Sequence, residues 1–128
     1  QRVLTATDDG LYSYPDIIVI CGSPRFTDMV KDTVTNPSVI VEILSKSTEA
    51  YDRGEKFRLY RRLPTFIEYV LIDATKIRAE VYRKNEEGIW SLMADADKLE
   101  HDIYLNTIDL RLSLNDIYEG WSELPEDE

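Results

Sequence analysis

Three side chains carry the chemistry this sequence could perform: Asp16, Glu42 and Lys56. Glu42 lies in Ser38-Val39-Ile40-Val41-Glu42-Ile43-Leu44, where every other residue from Val39 on is apolar. Apolar residues at both odd and even positions mark a strand buried on both faces. An unpaired carboxylate in such a strand costs several kcal/mol. A metal ion, a basic side chain or a raised pKa must therefore compensate it. Asp16 follows Pro15 and opens a second apolar run, Ile17-Ile18-Val19-Ile20-Cys21. If the two runs are neighbouring strands, Asp16 and Glu42 converge at one edge of a sheet and can bind a hard cation, Mg²⁺ or Mn²⁺. Lys56 stands one helical turn beyond Asp52 and one turn before Tyr60, so the three share a helix face. Beside Glu42, its ammonium could orient an attacking water or stabilise a developing anionic oxygen. Each residue also has a plainer reading. Asp16 can be a turn residue before a strand, and Glu42 the partner of an arginine from the following helix. Asp52 and Lys56 can be a surface pair, with Tyr60 packed on the sheet.

The elements that must position these residues follow from pattern. Val3 to Thr7 reads as strand, and Asp8-Asp9-Gly10 as a turn. Ile17 to Cys21 and Ser38 to Leu44 read as buried strands. Between them, Gly22 to Pro37 reads as a long connection with a short helical turn near Asp28. Asp52 with Glu55 fits a capping box, which predicts a helix over 53–63 that Pro64 stops. Glu68 to Asp73 is a third apolar strand. Ile77 to Lys84 alternates and, after Asn85-Glu86-Glu87-Gly88, pairs back with Ile89 to Ala94 as a hairpin. Asp109 to Leu114 reads as a last strand, and Asn115 as the cap of a short helix holding Ile117, Tyr118 and Trp121. The order gives an α/β (α+β) class: a mixed sheet with few covering helices.

Composition narrows the chemistry further. The 128 residues are 43% hydrophobic and 31% charged, as expected of one globular domain spanning 1–128. The chain starts at Gln1 and is strand-like by Val3, which predicts an N-terminally truncated fragment. No apolar run approaches the roughly 18 residues of a membrane span, and no signal-peptide pattern opens the chain. The expectation is a cytoplasmic protein without a membrane partner. A lone cysteine, Cys21, and a lone histidine, His101, argue against a disulfide framework, a zinc site and Ser-His-Asp chemistry. The formal net charge is −10, which disfavours DNA as a partner. Residues 53–62 run against that balance, with Arg53, Lys56, Arg58, Arg61 and Arg62 opposed by Glu55 alone. Beyond Ala94 the chain is acidic, and its end, ELPEDE, reads as a solvated tail.

Several segments together resemble the Uma-two family, a bacterial group of restriction-endonuclease-like proteins. They are Tyr14-Pro15-Asp16-Ile17-Ile18-Val19, the stretch from Val41-Glu42-Ile43-Leu44-Ser45-Lys46 through Asp52-Arg53-Gly54-Glu55-Lys56, then Tyr60-Arg61-Arg62-Leu63-Pro64 and Glu68-Tyr69-Val70-Leu71-Ile72-Asp73. The likeness extends to Leu114-Asn115-Asp116-Ile117-Tyr118-Glu119 and lacks the leading part of the family domain. It implies a PD-(D/E)XK fold, a mixed sheet flanked by helices, here with an added C-terminal β-hairpin. It implies Mg²⁺ or Mn²⁺ held by acidic residues on two adjacent strands, with a lysine assisting phosphodiester hydrolysis. Pro15-Asp16 matches the PD element and Glu42 the D/E. Leu44 stands where the usual lysine would be, and the matching lysine is Lys56, on the following helix, with Asp52 and Tyr60 as supporting residues.

Two function classes follow. The first is a metal-dependent endonuclease acting on DNA through Asp16, Glu42 and Lys56. The second is a catalytically inactive homologue that keeps the fold as a dimeric interaction or regulatory module. The net charge favours the second, and the retention of all three site residues favours the first. A carboxylate-pair glycosidase has only Asp16 and Glu42 for it and leaves Lys56 without a role. A homodimer is expected, because the hairpin Ile77–Ala94 carries Tyr82 and Trp90 at what reads as an exposed edge.

Overall fold

Six consecutive residues of mostly branched apolar type, Val39 to Leu44, leave the chain little choice but a strand covered on both sides. A computed structural model describes residues 2–6, 11–13, 15–27 and 30–119. In chain order the strands are β1 (Arg2–Ala6), β2 (Leu11–Ser13), β3 (Ile17–Val19), β4 (Phe26–Thr27), β5 (Val30–Val34) and β6 (Val39–Leu44). Helices α1 (Glu49–Arg53) and α2 (Glu55–Tyr60) follow, then β7 (Glu68–Asp73), β8 (Ala79–Lys84), β9 (Trp90–Ala96), β10 (Asp102–Leu105), β11 (Leu110–Ser113) and α3 (Leu114–Ile117). The arrangement is a mixed α+β fold consistent with the restriction-endonuclease-like architecture.

Its centre is a five-stranded sheet ordered β3-β6-β7-β8-β9. β6 and β7 are parallel and every other neighbouring pair is antiparallel. The parallel step requires a crossover, and α1 with α2 supplies it. Alternate residues of β6 feed two cores. Ile40 and Leu44 pack with Phe57, Tyr60 and Phe66 on the helix side. Val39 and Val41 pack with Ile103, Leu105 and Leu114 on the other side. A second sheet, β2-β1-β5-β4, and the hairpin β10-β11 complete the described residues. Among those residues no helix is long and apolar enough to cross a membrane.

The structure corrects several expectations. β3 stands at the end of the central sheet and not in its middle, and Ile17 is exposed. Two strands, β4 and β5, occupy part of the segment expected to be a connection. The expected turn at Asp8-Asp9-Gly10, the helical turn near Asp28, Tyr14, Trp121 and the acidic tail lie outside the described residues. The single helix over 53–63 is instead two short ones that meet at Gly54, where φ −101° and ψ −95° leave the helical region. Asp52 lies inside α1 and caps nothing; Thr48 precedes that helix. The helical path ends at Tyr60, and Pro64 sits in the turn beyond it. Ser113, not Asn115, caps α3, its Oγ accepting from the Asp116 N–H at 3.1 Å. β10, the partner of β11, lay hidden in the acidic stretch after Ala96. Tyr82 and Trp90 face inward: Trp90 lies 4.8 Å from the Phe66 ring and 5.2 Å from that of Phe57. The apolar exposure of this hairpin comes from Ile89, Leu92 and Met93 instead.

Candidate functional site

The antiparallel register of β3 on β6 sets Ile17 opposite Val41, so the next step outward sets Asp16 beside Glu42. The two residues exchange bonds. The Asp16 N–H donates to Glu42 Oε1 at 2.9 Å, and Asp16 Oδ2 accepts from the Ile43 N–H at 2.7 Å. The polypeptide itself thus holds both carboxyl groups at one end of the sheet. Their environments differ: Asp16 is exposed, whereas Glu42 is 0% exposed.

The crossover brings the remaining candidates to the same place. Lys56, in the first turn of α2, forms an ion pair with Glu42 Oε2. Its ammonium also lies 3.4 Å from Asp52 Oδ1, one turn back across Gly54. The Tyr60 hydroxyl reaches Glu42 Oε2 at 3.5 Å, the long limit of a hydrogen bond. Asp52, 4% exposed, is anchored through its backbone carbonyl, which accepts from the Tyr69 hydroxyl at 2.8 Å. Burial raises the Glu42 carboxyl above its ordinary pKa, against the opposing hydrogen bonds from Lys56 and the Asp16 N–H. Burial alone would lower Lys56, but the hydrogen bond and charge of Glu42 together with Asp52 outweigh it and hold the ammonium above its ordinary value. All five candidate residues, Asp16, Glu42, Asp52, Lys56 and Tyr60, are therefore brought together. Lysine, not arginine, neutralises Glu42.

The basic segment is partly spent on the protein itself, through Arg53 and Lys56, whereas Arg58, Arg61 and Arg62 are exposed. Arg53 forks onto Glu80 of β8 and also bonds Glu49 Oε2 at 2.7 Å. Arg61 lies over the Phe57 ring at 4.6 Å, and Arg58 pairs with Glu55. Three buried carboxylates among the described residues had no counterpart among the sequence candidates; one of them, Asp73, closes the turn after β7 by accepting from the Thr75 and Lys76 N–H groups. Glu80, 3% exposed, sits in an alternating strand where it reads as part of the polar face. Glu68, 0% exposed, accepts from Arg83 and from the backbone N–H groups of Asn106 and Thr107 at 3.0 and 2.7 Å. Its opening position in β7 gives no signal, since the segment it caps is far away in sequence. Glu68 is thus committed to holding the β10–β11 connection.

The groups that could hold a cation are Asp16 and Glu42. Among the described residues no group of three or more Asp, Glu, His or Cys side chains is placed to hold a metal ion. Two carboxylates fit Mg²⁺ nevertheless, because that ion keeps several waters and takes further oxygens from a phosphate substrate. Among the described residues Glu42 Oε1 accepts one bond, from the Asp16 N–H, which leaves lone-pair capacity for such a role.

Comparison with known proteins gives the chain a family. The family model described as "Putative restriction endonuclease", Uma2, matches residues 2–115. Among curated proteins, "Uncharacterized protein slr1290" of Synechocystis sp. is 40% identical over 111 residues, covering 85% of this chain and 55% of that protein. "Uncharacterized protein sll1609" of the same organism is 46% identical over 81 residues, covering 63% and 46%. The chain spans about half the length of these relatives. With its family model covering most of the sequence, the chain belongs to the Uma2 (Uma-two) family of restriction-endonuclease-like proteins.

Proposed function

We propose that this protein is a cytoplasmic Mg²⁺- or Mn²⁺-dependent endonuclease that hydrolyses DNA phosphodiester bonds. The observation that carries the reading is the meeting of exposed Asp16, buried Glu42 and Lys56 at one end of the sheet. Asp16 and Glu42 would hold the cation, which when bound supplies charge neutralisation and a more acidic water. Lys56 remains protonated between Glu42 and Asp52 and presents a fixed positive charge where negative charge develops on the phosphate oxygens. The Asp16–Ile43 backbone bond keeps the exposed carboxylate from rotating away. The test is cleavage of DNA in Mg²⁺ or Mn²⁺ by the wild type beside Glu42→Ala. Metal-dependent cleavage lost in the variant supports the reading, and equal cleavage by both refutes it.

A second reading, a non-catalytic homodimeric interaction module, is favoured by a separate observation. The net charge is −10, and Arg53 and Lys56 are engaged with buried carboxylates of the protein. A duplex would have to be held against that field. Homodimerisation is compatible with either reading.

A further inference from the structure

Arg53 and Glu80 take no part in the proposed chemistry, yet their pairing is placed to govern it. The chain turns between α1 and α2 at Gly54, outside helical geometry, and Lys56 follows two residues later. A rotation at Gly54 would swing α2 and carry Lys56 off Glu42. Three tethers fix the junction to three successive strands of the sheet, two on the α1 side of Gly54, which set the direction in which the chain enters it, and one on the α2 side. Lys56 itself bonds Glu42 on β6. The Tyr69 hydroxyl on β7 donates to the Asp52 carbonyl at 2.8 Å. Arg53, immediately before Gly54, grips Glu80 on β8, with Nη1 to Oε2 at 3.1 Å and Nη2 closer still to Oε1. Glu80 is 3% exposed and also accepts from the Tyr82 hydroxyl at 3.3 Å, so the anchor cannot wander.

A buried ion pair is weak evidence for stability. What a planar two-point fork supplies is direction. Glu49, the other partner of Arg53, lies on the same helix and cannot fix that helix to the sheet. We infer that Arg53 and Glu80 are positioning residues that lock the α1–α2 junction to β8 and thereby seat Lys56 on Glu42. The catalytic meaning of that seat rests on the nuclease reading; the seat itself does not.

The experiment is reductive methylation of lysines in the full chain, followed residue by residue by mass spectrometry without metal. Exposed Lys46 serves as the internal reference. Glu80→Gln should raise the Lys56 rate about tenfold, within the usual range of coupling between sites, and leave Lys46 unchanged. Arg53→Lys keeps the charge but loses the fork and should move Lys56 the same way. The double variant Arg53→Met/Glu80→Met replaces the pair with apolar side chains, a change that is often neutral for the fold, as circular dichroism would check, while leaving the junction without its directional grip. Lys56 should stay reactive there too. Unchanged protection of Lys56 in these variants, or Lys46 and Lys56 rising together, overturns the inference. So does restored protection in the double variant. Where the wild type cuts DNA, Glu80→Gln should lower kcat and leave KM unchanged. A wild type that never cuts ends the nuclease reading, while the methylation rates still decide the clasp.

Discussion

Glu42 is a wholly buried carboxylate whose cost is met, among the described residues, by the Lys56 ammonium, the Asp16 N–H and a long contact to Tyr60. Removing that ammonium should be severe. Lys56→Met keeps the stem and drops the charge, and should destabilise the protein by about 3–5 kcal/mol near neutral pH. Urea unfolding measures the loss, and adding Glu42→Gln to Lys56→Met should recover most of it. The sign of the pH dependence follows from burial. The folded-state pKa of Glu42 lies above the ordinary 4.5, so its contribution is fully present below 4.5 and is lost as pH rises through the folded value. Relative to Glu42→Gln, the wild type should therefore lose stability as pH is raised upward from 4.5. A difference that grows more favourable with rising pH would contradict this. Metal should act through the same pair. At a hundredfold excess over its dissociation constant, a cation bound only by the folded state adds about 2.7 kcal/mol of stability. Asp16→Asn and Glu42→Gln should each abolish most of the corresponding rise in Tm, and an equal rise in all three proteins would leave the pair without a metal role. Glu42 was legible in the sequence as an anomaly against its local pattern, and Asp16 and Lys56 by their positions relative to it and by the family resemblance. A charge in an apolar strand shows itself. Glu80 did not, since a carboxylate at a polar position of an alternating strand looks ordinary until α1 brings Arg53 onto it.

At the scale of elements, the strongly apolar strands were readable and the capped and broken helices were not. β6 and β7 are covered on both faces, and that burial is written directly in runs such as VIVEIL and EYVLID. Helix ends depend on which hydroxyl or carboxylate happens to face a free N–H, and neighbouring candidates look alike. Asp52 illustrates the ambiguity. Its spacing to Glu55 satisfies a capping box, but its carboxylate turns to Lys56 and its carbonyl to Tyr69, so it works inside the helix path. Ser113 and Asn115 allow the point to be measured. Both precede or open the same short helix, and only Ser113 bonds a helical N–H. Ser113→Ala should cost about 1 kcal/mol in denaturant unfolding, the ordinary worth of an N-cap, while Asn115→Ala should change little. The reverse ranking would mean that α3 starts two residues later. The short strands β2, β4, β5 and β10 escaped detection for a different reason. They are two to five residues long, too short to display a period of two, and β10 follows directly on a charged run.

Across the whole molecule, the outer strand of the central sheet is the feature that local reading placed correctly and explained wrongly. The aromatic residues of the β8–β9 hairpin, Tyr82 and Trp90, are absorbed beneath α2, and what the hairpin turns outward is Ile89, Leu92 and Met93, at 59%, 48% and 54% exposure. β9 is last in the order of its sheet, and from Trp90 to Ala94 it carries no charge. Natural edge strands of that length are usually guarded by lysine, proline or a covering segment. A bulge opposite Val81 and Tyr82 adds local twist but leaves the apolar side chains in place. Two copies meeting antiparallel along β9 would satisfy the outer backbone groups of both and bury these side chains against each other, a self-complementary contact of the kind two-fold dimers use. The expected outcome is a homodimer of the full-length protein at micromolar concentration, read by light scattering. Leu92→Lys and Met93→Glu both place a charge at an exposed position, so each should leave the fold intact and shift the protein toward monomer. A wild type that scatters as a monomer refutes the dimer. Variants that remain dimeric refute this edge as its seat and return attention to the exposed residues beside the site, Ile17 and Ile43, at the other side of the same sheet.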